Sequence, residues 1–269
     1  MVRDEADVIE GVLRHLDGEA LNGIVVADNL SSDGTGDLLR DLAGDLATPL
    51  VVVDDPEPGY FQSEKMTRLA ALAADRDAGD TWIVPFDADE LWVAPDRIGH
   101  MLRATPADHN LHPAPITDHV PTAVDPPEPD PFRRIQFRRP GPGHPRHWKV
   151  AFKWQPGAVI AQGNHSATLP QGECAVPDPA LEIRHFPYRT YEQFRRKVRN
   201  GAAAYAAANN PRADVGLHWV TWGKLDDPQL REVWTRYRCS LSPTDDGLIL
   251  DPAPYRRWET IESLLRGCR

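Results

Sequence analysis

Strand-like and helix-like segments alternate over the first ninety residues, and this alternation constrains the fold most. Apolar runs at 23–28, 50–54 and 82–86 are typical of buried strands, and the segments between them carry apolar residues at helical spacing. Strands separated by helices pair in parallel through right-handed crossovers. The pattern predicts an α/β domain with a mostly parallel central sheet flanked by helices. The residues expected in its core are Leu38, Leu42, Val52, Val84 and Phe86.

Polar residues follow two of these predicted strands. Asp28 and Asn29 come after one, and Asp87, Asp89 and Glu90 come after another. Three carboxylates within four residues repel one another unless a cation lies among them, and Asp87 and Asp89 point the same way if the strand geometry continues. Such oxygen ligands suit Mg²⁺ or Mn²⁺. A solvated turn has the same composition, so the motif needs support from elsewhere in the chain.

Composition excludes several classes of protein. A length of 269 residues fits one large domain, and a formal charge of −10 argues against nucleic acid as the main partner. Three scattered cysteines, Cys174, Cys239 and Cys268, form neither a disulfide framework nor a zinc spacing. No signal peptide is recognisable, and no apolar run approaches the ~20 residues of a membrane span. We therefore expect a soluble cytoplasmic protein, with no prediction of its oligomeric state.

The second half of the chain is less regular. Proline is dense in 104–147, which predicts a long irregular segment over the open face of the sheet. Strand patterns return at 149–154, 158–161 and 181–185. A helix with a capping box at Thr190 follows. We expect a domain over residues 1–205 and a helical, tryptophan-rich C-terminal extension over 206–269, packed on it.

Five motifs occur in a fixed order along residues 1 to 205, and together they resemble the soluble branch of the family 2 glycosyltransferases, which have the GT-A fold. The resemblance implies a Rossmann-like, mostly parallel sheet, a nucleotide-diphosphate sugar as donor, and inverting transfer of its sugar to an acceptor hydroxyl with help from Mn²⁺ or Mg²⁺. Relatives carry a full strand before the first motif, and Met1-Val2 would be its end. The motifs are Arg3-Asp-Glu5, Asp28-Asn-Leu-Ser-Ser-Asp-Gly-Thr35, Asp87-Ala-Asp-Glu90, Gly163-Asn-His165 and His185-Phe-Pro-Tyr-Arg-Thr190.

The resemblance also implies roles for single residues. Asp89 would bind the metal directly, and Asp87 would bind the metal, a metal-bound water or the ribose. The nucleotide would lie near Asp28 and Asn29, and the asparagine leaves the identity of the base open. Cations expected near the donor are Arg68, Lys197 and Arg189.

Two histidines and several carboxylates compete for the remaining roles. His165 and His185 are each candidates for a third metal ligand or a catalytic group, with His165 preferred for catalysis. An inverting transfer needs a base for the acceptor's proton. Glu90 is our candidate because it is nearest the metal motif. The other carboxylates that remain open are Glu173, Asp178 and Glu182.

Other functions remain open. Phosphohydrolases of the haloacid-dehalogenase type also place an Asp-x-Asp after a strand, though after the first strand and close to a threonine. A sugar-1-phosphate nucleotidyltransferase would need a glycine-rich amino-terminal loop, which is missing. A degenerate nucleotide- or sugar-binding domain is the non-enzymatic alternative. The acceptor is not identified by any motif; we expect the proline-rich segment and the tryptophan-rich tail to bind it.

Overall fold

A computed structural model describes residues 1–76, 80–141, 148–177, 180–208, 217–237 and 241–252. The described helices alternate with strands at first and then cluster near the C-terminal end. Most of the long ones carry an apolar stripe that faces the core. Their bounds are α1 Ile9–Asp17, α2 Thr35–Asp45, α3 Gln62–Ala74, α4 Ile98–Arg103, α5 Pro131–Arg134, α6 Tyr191–Ala207, α7 Leu217–Trp222 and α8 Asp227–Tyr237.

The described strands form one five-stranded sheet and three two-stranded pairs. The large sheet has the order β3-β7-β5-β10-β4, and the pairs are β1-β2, β6-β11 and β8-β9. The bounds are β1 Ile24–Asp28, β2 Leu50–Asp54, β3 Trp82–Ile83, β4 Glu90–Val93, β5 Leu111–Asp118, β6 Phe137–Arg138, β7 Trp148–Lys153, β8 Val159–Ile160, β9 Ala167–Thr168, β10 Glu182–His185 and β11 Ile249–Leu250.

The fold is mixed α/β, and the mostly parallel sheet expected from the sequence is not confirmed. In the five-stranded sheet only β5 and β10 run parallel; the other three pairings are antiparallel. The β1-β2 pair is parallel. A parallel crossover needs a long connection, usually a helix. The only described helices between β4 and β7 are α4 and α5, which have six and four residues. Neither is long enough for a parallel crossover, so the βα repeat ends there.

Val2 forms an isolated bridge beside β1, while the strand end expected over Met1 and Val2 stays a prediction. The Val2 N–H donates to the Ala27 carbonyl at 2.8 Å, and the Val2 carbonyl accepts from the Asn29 N–H at 2.8 Å. This bridge runs parallel to β1. It fixes the beginning of the chain next to the polar end of β1.

The described part of the proline-rich segment, residues 104–141, contains regular structure that its composition does not predict. β5, an inner strand of the sheet, lies inside it and contains Pro113 and Pro115. These prolines lie two residues apart, so their nitrogens face the same edge of the strand. β10 pairs with β5 only from Ile116 onward. Neither proline therefore has to donate to β10.

The core lies between the helices on one side and the five-stranded sheet and the β1-β2 pair on the other. Leu42 is buried as expected, and the other four predicted core residues are partly buried and pack against the core. The predicted capping box at α6 is present in part: Thr190 Oγ1 accepts from the Gln193 N–H at 3.2 Å, but the Gln193 side chain accepts from the Arg189 N–H and not from that of Thr190. Helices α7 and α8 pack against α6 through aromatic side chains.

Two expectations from composition concern features that the structure describes only in part. Within the described ranges, no helix has both the length and the apolar character needed to cross a bilayer. Cys174 is exposed with a free thiol. Cys239 and Cys268 lie outside the described residues, as does Asp178.

Candidate functional site

The ends of three neighbouring strands bring the motif residues together. His185, the last residue of β10, pairs with Asp118 at the end of β5 and with Glu90 at the start of β4. Asp89 immediately precedes β4, and its carbonyl accepts from the Phe186 N–H at 2.8 Å. The register of the sheet therefore places the acidic motif and the histidine motif side by side.

The acidic motif is a turn and not a continuation of the preceding strand. β3 ends at Ile83, and Ala88 and Asp89 form a turn before β4. Strand geometry suggested that Asp87 and Asp89 point the same way and share one cation. In the structure each has its own partner. Asp87 pairs with Lys149, whereas Asp89 pairs with Lys197. Each carboxylate is thus neutralised by a different lysine from later in the chain.

Lys149 lies between two carboxylates. Its Nζ is 2.6 Å from Asp87 Oδ2 and 2.7 Å from Glu90 Oε1, and its side chain is 3% exposed. Burial opposes its charge, but Asp87 and Glu90 outweigh burial and raise the pKa of Lys149. Glu90 uses its other oxygen to accept from the Asp87 N–H at 3.2 Å. Burial raises the pKa of Glu90, and Lys149 opposes that shift. Glu90 therefore holds Lys149 in place.

Asp89 is surrounded by cationic groups. Lys197 of α6 donates to Asp89 Oδ2, His185 Nε2 lies 3.6 Å from the same oxygen, and Arg189 Nη1 lies 4.0 Å from it. Burial acts to raise the pKa of Asp89, but Lys197 and His185 hold it well below its usual range. Lys197 also lies 3.5 Å from Glu5, and its side chain is 25% exposed. Lys197 therefore belongs to the charged cluster around Asp87 and Asp89, and a quarter of its side chain is exposed.

Arg189 ties the first motif to the last. Its guanidinium donates to both oxygens of Asp7, at 2.7 and 2.9 Å, and to Glu5. The side chain is 0% exposed. This arginine is buried among carboxylates, so its expected contact with a diphosphate stays a prediction that the arrangement does not favour. It fixes the relative positions of the amino-terminal loop and α6.

His185 has a carboxylate at each ring nitrogen. Its Nδ1 lies 2.8 Å from Asp118 Oδ1, and its Nε2 faces Asp89. Burial lowers the pKa of the imidazole, but Asp89 and Asp118 together raise it to about 10. A metal ligand must be a neutral imidazole. In this arrangement His185 is instead a cation that links two carboxylates.

The Gly163-Asn164-His165 motif contributes through its asparagine. Asn164 Nδ2 donates to Asp87 Oδ1 at 3.2 Å, and the residue is fully buried with a φ of 60°. His165 is exposed, and its Nδ1 lies 2.8 Å from the Trp148 carbonyl. Gly163 has a φ of 74°, and a Cβ there would lie 2.6 Å from the His165 ring. The turn therefore directs the asparagine into the cluster and the histidine outward.

The predicted nucleotide side of the site is built by interlocking loops. Asn29 is buried, and its Nδ2 donates to the Asp55 and Glu57 carbonyls at 3.1 and 2.7 Å. Asp28 Oδ1 accepts from the Ser31 N–H at 3.2 Å. These contacts hold the loop after β1 against the end of β2. Arg68 on α3 is exposed and takes no part in the contacts of the cluster.

Asp4 joins this loop to α6. It has a φ of 55°, its carboxylate accepts from the Ser32 N–H at 2.7 Å, and it accepts from Asn200 Nδ2 at 2.6 Å. Asp4 does not cap the first helix, since Val8 is the N-cap of α1. The carboxylate is used in a long-range contact.

The side chains, as they are arranged, do not fit a divalent cation. Within the described ranges, no three His, Cys, Asp or Glu side chains are grouped so that they could hold a metal ion. Both oxygens of Asp87 already accept from Lys149 and Asn164. Asp89 faces three cationic groups. The metal roles of Asp87, Asp89, His165 and His185 therefore remain predictions, and the arrangement of their partners does not favour them.

Three residues of the cluster escaped the sequence analysis. Asp118, Lys149 and Asn164 each contact a motif residue. Lys149 carried a signal, since a charged residue that is buried beside the apolar run 150–152 needs a partner. Asn164 lies in the Gly163-Asn164-His165 motif, in which the histidine is the residue type more typical of metal binding and catalysis. Asp118 follows a run with two prolines, which hid the strand.

Comparisons with known proteins add little. No family model matches the chain, and no curated protein matches it. Among solved structures, it is similar to the crystal structure of S. aureus TarS 1-349 in complex with UDP, with 10% sequence identity and a TM-score of 0.37. The match covers 86% of this chain and 75% of that chain. So low a TM-score does not establish a shared fold, so this likeness carries no weight here.

Proposed function

We propose that this chain is a glycosyltransferase that takes a sugar from a nucleotide-diphosphate sugar and passes it to an acceptor hydroxyl. The observation that carries the proposal is the position of Lys197. This partly exposed cation contacts Asp89 of the acidic motif and Glu5 of the first motif. Motifs that are far apart in the sequence thus share one charged cluster beside the ends of β5 and β10, where ligands of α/β proteins commonly bind.

The reaction needs positive charge at the leaving group. The bond between the sugar's anomeric carbon and the diphosphate oxygen breaks, and its electron pair leaves with the diphosphate. The acceptor oxygen bonds to the same carbon and gives its proton to a base. A fixed cation stabilises the charge that gathers on the leaving diphosphate. Lys197 is our candidate for that cation, because Asp89 and Glu5 orient it while part of its side chain faces solvent.

Glu90 is better suited to positioning than to proton transfer. A general base must come within hydrogen-bond reach of the proton it takes. Glu90 has a side chain that is 1% exposed, and both of its oxygens are engaged by Lys149 and by the backbone of the motif. We assign it the role of holding Lys149, and through it Asp87. The base remains to be found among carboxylates with more exposure.

The phosphohydrolase alternative needs an accessible aspartate as nucleophile. Asp89 is buried and surrounded by cationic groups. Asp87 is more exposed, but Lys149 and Asn164 engage both of its oxygens. Neither carboxylate therefore favours attack on a phosphorus atom, and the transferase is the better proposal.

A thermal-shift screen of nucleoside diphosphates and nucleotide sugars tests the function. A ligand at about 100 times its Kd stabilises the folded state by about 2.7 kcal/mol. We expect one base to stand out, and the matching sugar donor to be consumed with release of the nucleoside diphosphate. Release of inorganic phosphate instead would indicate a phosphohydrolase. If no nucleotide or nucleotide sugar shifts the transition, the proposed function is wrong.

A further inference from the structure

We propose that the side chain of Lys197, and not a divalent cation, offsets the charge of the donor diphosphate. This inference rests on the proposed function and specifies how the site performs it. The sequence motif predicts a metal between Asp87 and Asp89, but Lys149 and Lys197 lie against these carboxylates. The two lysines supply the positive charge that a metal ion would bring to this turn.

Each oxygen of Asp87 already accepts a hydrogen bond. Oδ2 accepts from Lys149 at 2.6 Å, and Oδ1 accepts from Asn164 at 3.2 Å. A metal ion on this carboxylate would compete with the ammonium group of Lys149, which is 3% exposed. Displacing Lys149 from Asp87 would leave it only Glu90 as a carboxylate partner, and weakening a buried ion pair is destabilising. The lysine is therefore the better partner for Asp87.

The cationic groups that surround Asp89 oppose the binding of a metal ion there. Lys197 contacts its Oδ2, and the guanidinium of Arg189 lies 4.0 Å from the same atom. Both groups carry a full positive charge in this position, and the side chain of Asp89 is only 4% exposed. Like charges at such separations repel strongly in a partly desolvated site. A doubly charged metal ion would face this repulsion and would compete with Lys149 and Asn164 for the oxygens of Asp87.

Lys197 can meet the donor without leaving the cluster. It projects from the rigid helix α6 and is held by Asp89 and Glu5, while a quarter of its side chain remains exposed. An ammonium group has three donors and binds phosphate oxygens as a point charge. When the anomeric C–O bond breaks, the electron pair stays on the diphosphate oxygens, which Lys197 then stabilises. No external cation enters this charge balance.

The test compares binding of nucleoside diphosphates to the full chain in EDTA and in Mn²⁺. UDP, GDP, ADP and CDP serve as probes, each titrated calorimetrically against the intact protein. We expect the best probe to bind with Kd values that agree within about twofold in the two conditions. The substitution Lys197→Met should weaken that probe by about tenfold or more, while binding of the corresponding nucleoside stays unchanged. The exposed Lys224→Met is the matched control and should change neither.

The other outcomes separate this inference from the proposed function. Binding that is about tenfold or more tighter in Mn²⁺ than in EDTA would overturn the inference while leaving the glycosyltransferase proposal standing. Unchanged diphosphate binding in a folded Lys197→Met variant would also overturn it. The comparison of EDTA with Mn²⁺ uses the unmodified protein, so it holds even if the variant does not fold. Failure of every probe in both conditions would overturn the proposed function, and the inference with it.

Discussion

Lys197 donates a hydrogen bond to the carboxylate of Asp89, although the two residues are 108 positions apart. The contact joins the helix after the last motif to the turn that carries the acidic motif. Asp89 is buried, and Lys197 is partly exposed. The pair is therefore both a structural link between distant segments and the basis of the proposed donor site.

Asp89→Asn should reduce both stability and activity. The substitution leaves Lys197 and Arg189 near a neutral amide, and breaking a buried ion pair on one side costs about 3–5 kcal/mol. Without its anionic partner Lys197 is also free to turn away, so donor turnover should fall about 100-fold or more. Urea unfolding and a donor-consumption assay measure the two effects. The exposed Asp37→Asn is the control and should leave both within error. A fully stable Asp89→Asn variant would show that the pair contributes little.

The sequence predicted much of the local structure because the signals for it are local. β2 has the predicted bounds, and Thr190 is the N-cap of α6. Contacts join the five motifs in pairs: Asp4 with Ser32, Glu5 with Arg189, Asn164 with Asp87, and Asp89 with His185. Hydrophobic periodicity and capping depend on neighbours within a few residues, so one sequence suffices to find them.

The metal prediction illustrates what a single sequence does not contain. Three carboxylates within four residues need positive charge nearby, and that part of the reasoning holds. The structure supplies the charge from Lys149 and Lys197, which are separated from the motif by more than fifty residues. No spacing rule relates such distant positions. The direction of the central strands was missed for the same reason, since pairing partners are set by the tertiary fold.

Lys149 and Glu90 should show strong energetic coupling. Each single substitution, Lys149→Met or Glu90→Gln, leaves a buried charged partner with fewer contacts. The double variant removes both charges, so its loss of unfolding free energy should be smaller than the sum of the single losses by about 1–3 kcal/mol. Equilibrium urea unfolding of the four proteins provides the cycle. The exposed pair of Arg236 and Glu232 is the control and should couple by less than about 0.5 kcal/mol. Additive losses at Lys149 and Glu90 would contradict the buried pair.

Asn164→Asp should destabilise the protein more than Asn164→Gly. Asn164 is buried, and its amide donates to Asp87, which an aspartate would repel. Glycine also loses the amide, but it adopts the φ of 60° without strain and adds no charge. We expect a difference of about 1–3 kcal/mol at neutral pH. Thermal unfolding of the two variants at pH 7 measures it. Equal unfolding temperatures would indicate that the Asn164 amide does not face Asp87.

The imidazolium of His185 should make stability depend on pH above neutrality. Asp89 and Asp118 raise its pKa from 6.5 to about 10 in the folded protein. The folded state therefore holds a proton between these two values that the unfolded state has lost, and stability from this group is full below about pH 6.5 and declines as pH rises toward 10. The slope should be about 1.4 kcal/mol of unfolding free energy per pH unit within that window. Urea unfolding from pH 6 to 10 measures it, with His185→Gln for comparison. The variant should lack this component of the slope, because glutamine keeps a hydrogen-bond donor but carries no titrating proton. A slope shared by both proteins would assign the pH dependence to other groups and place a neutral imidazole between the two carboxylates.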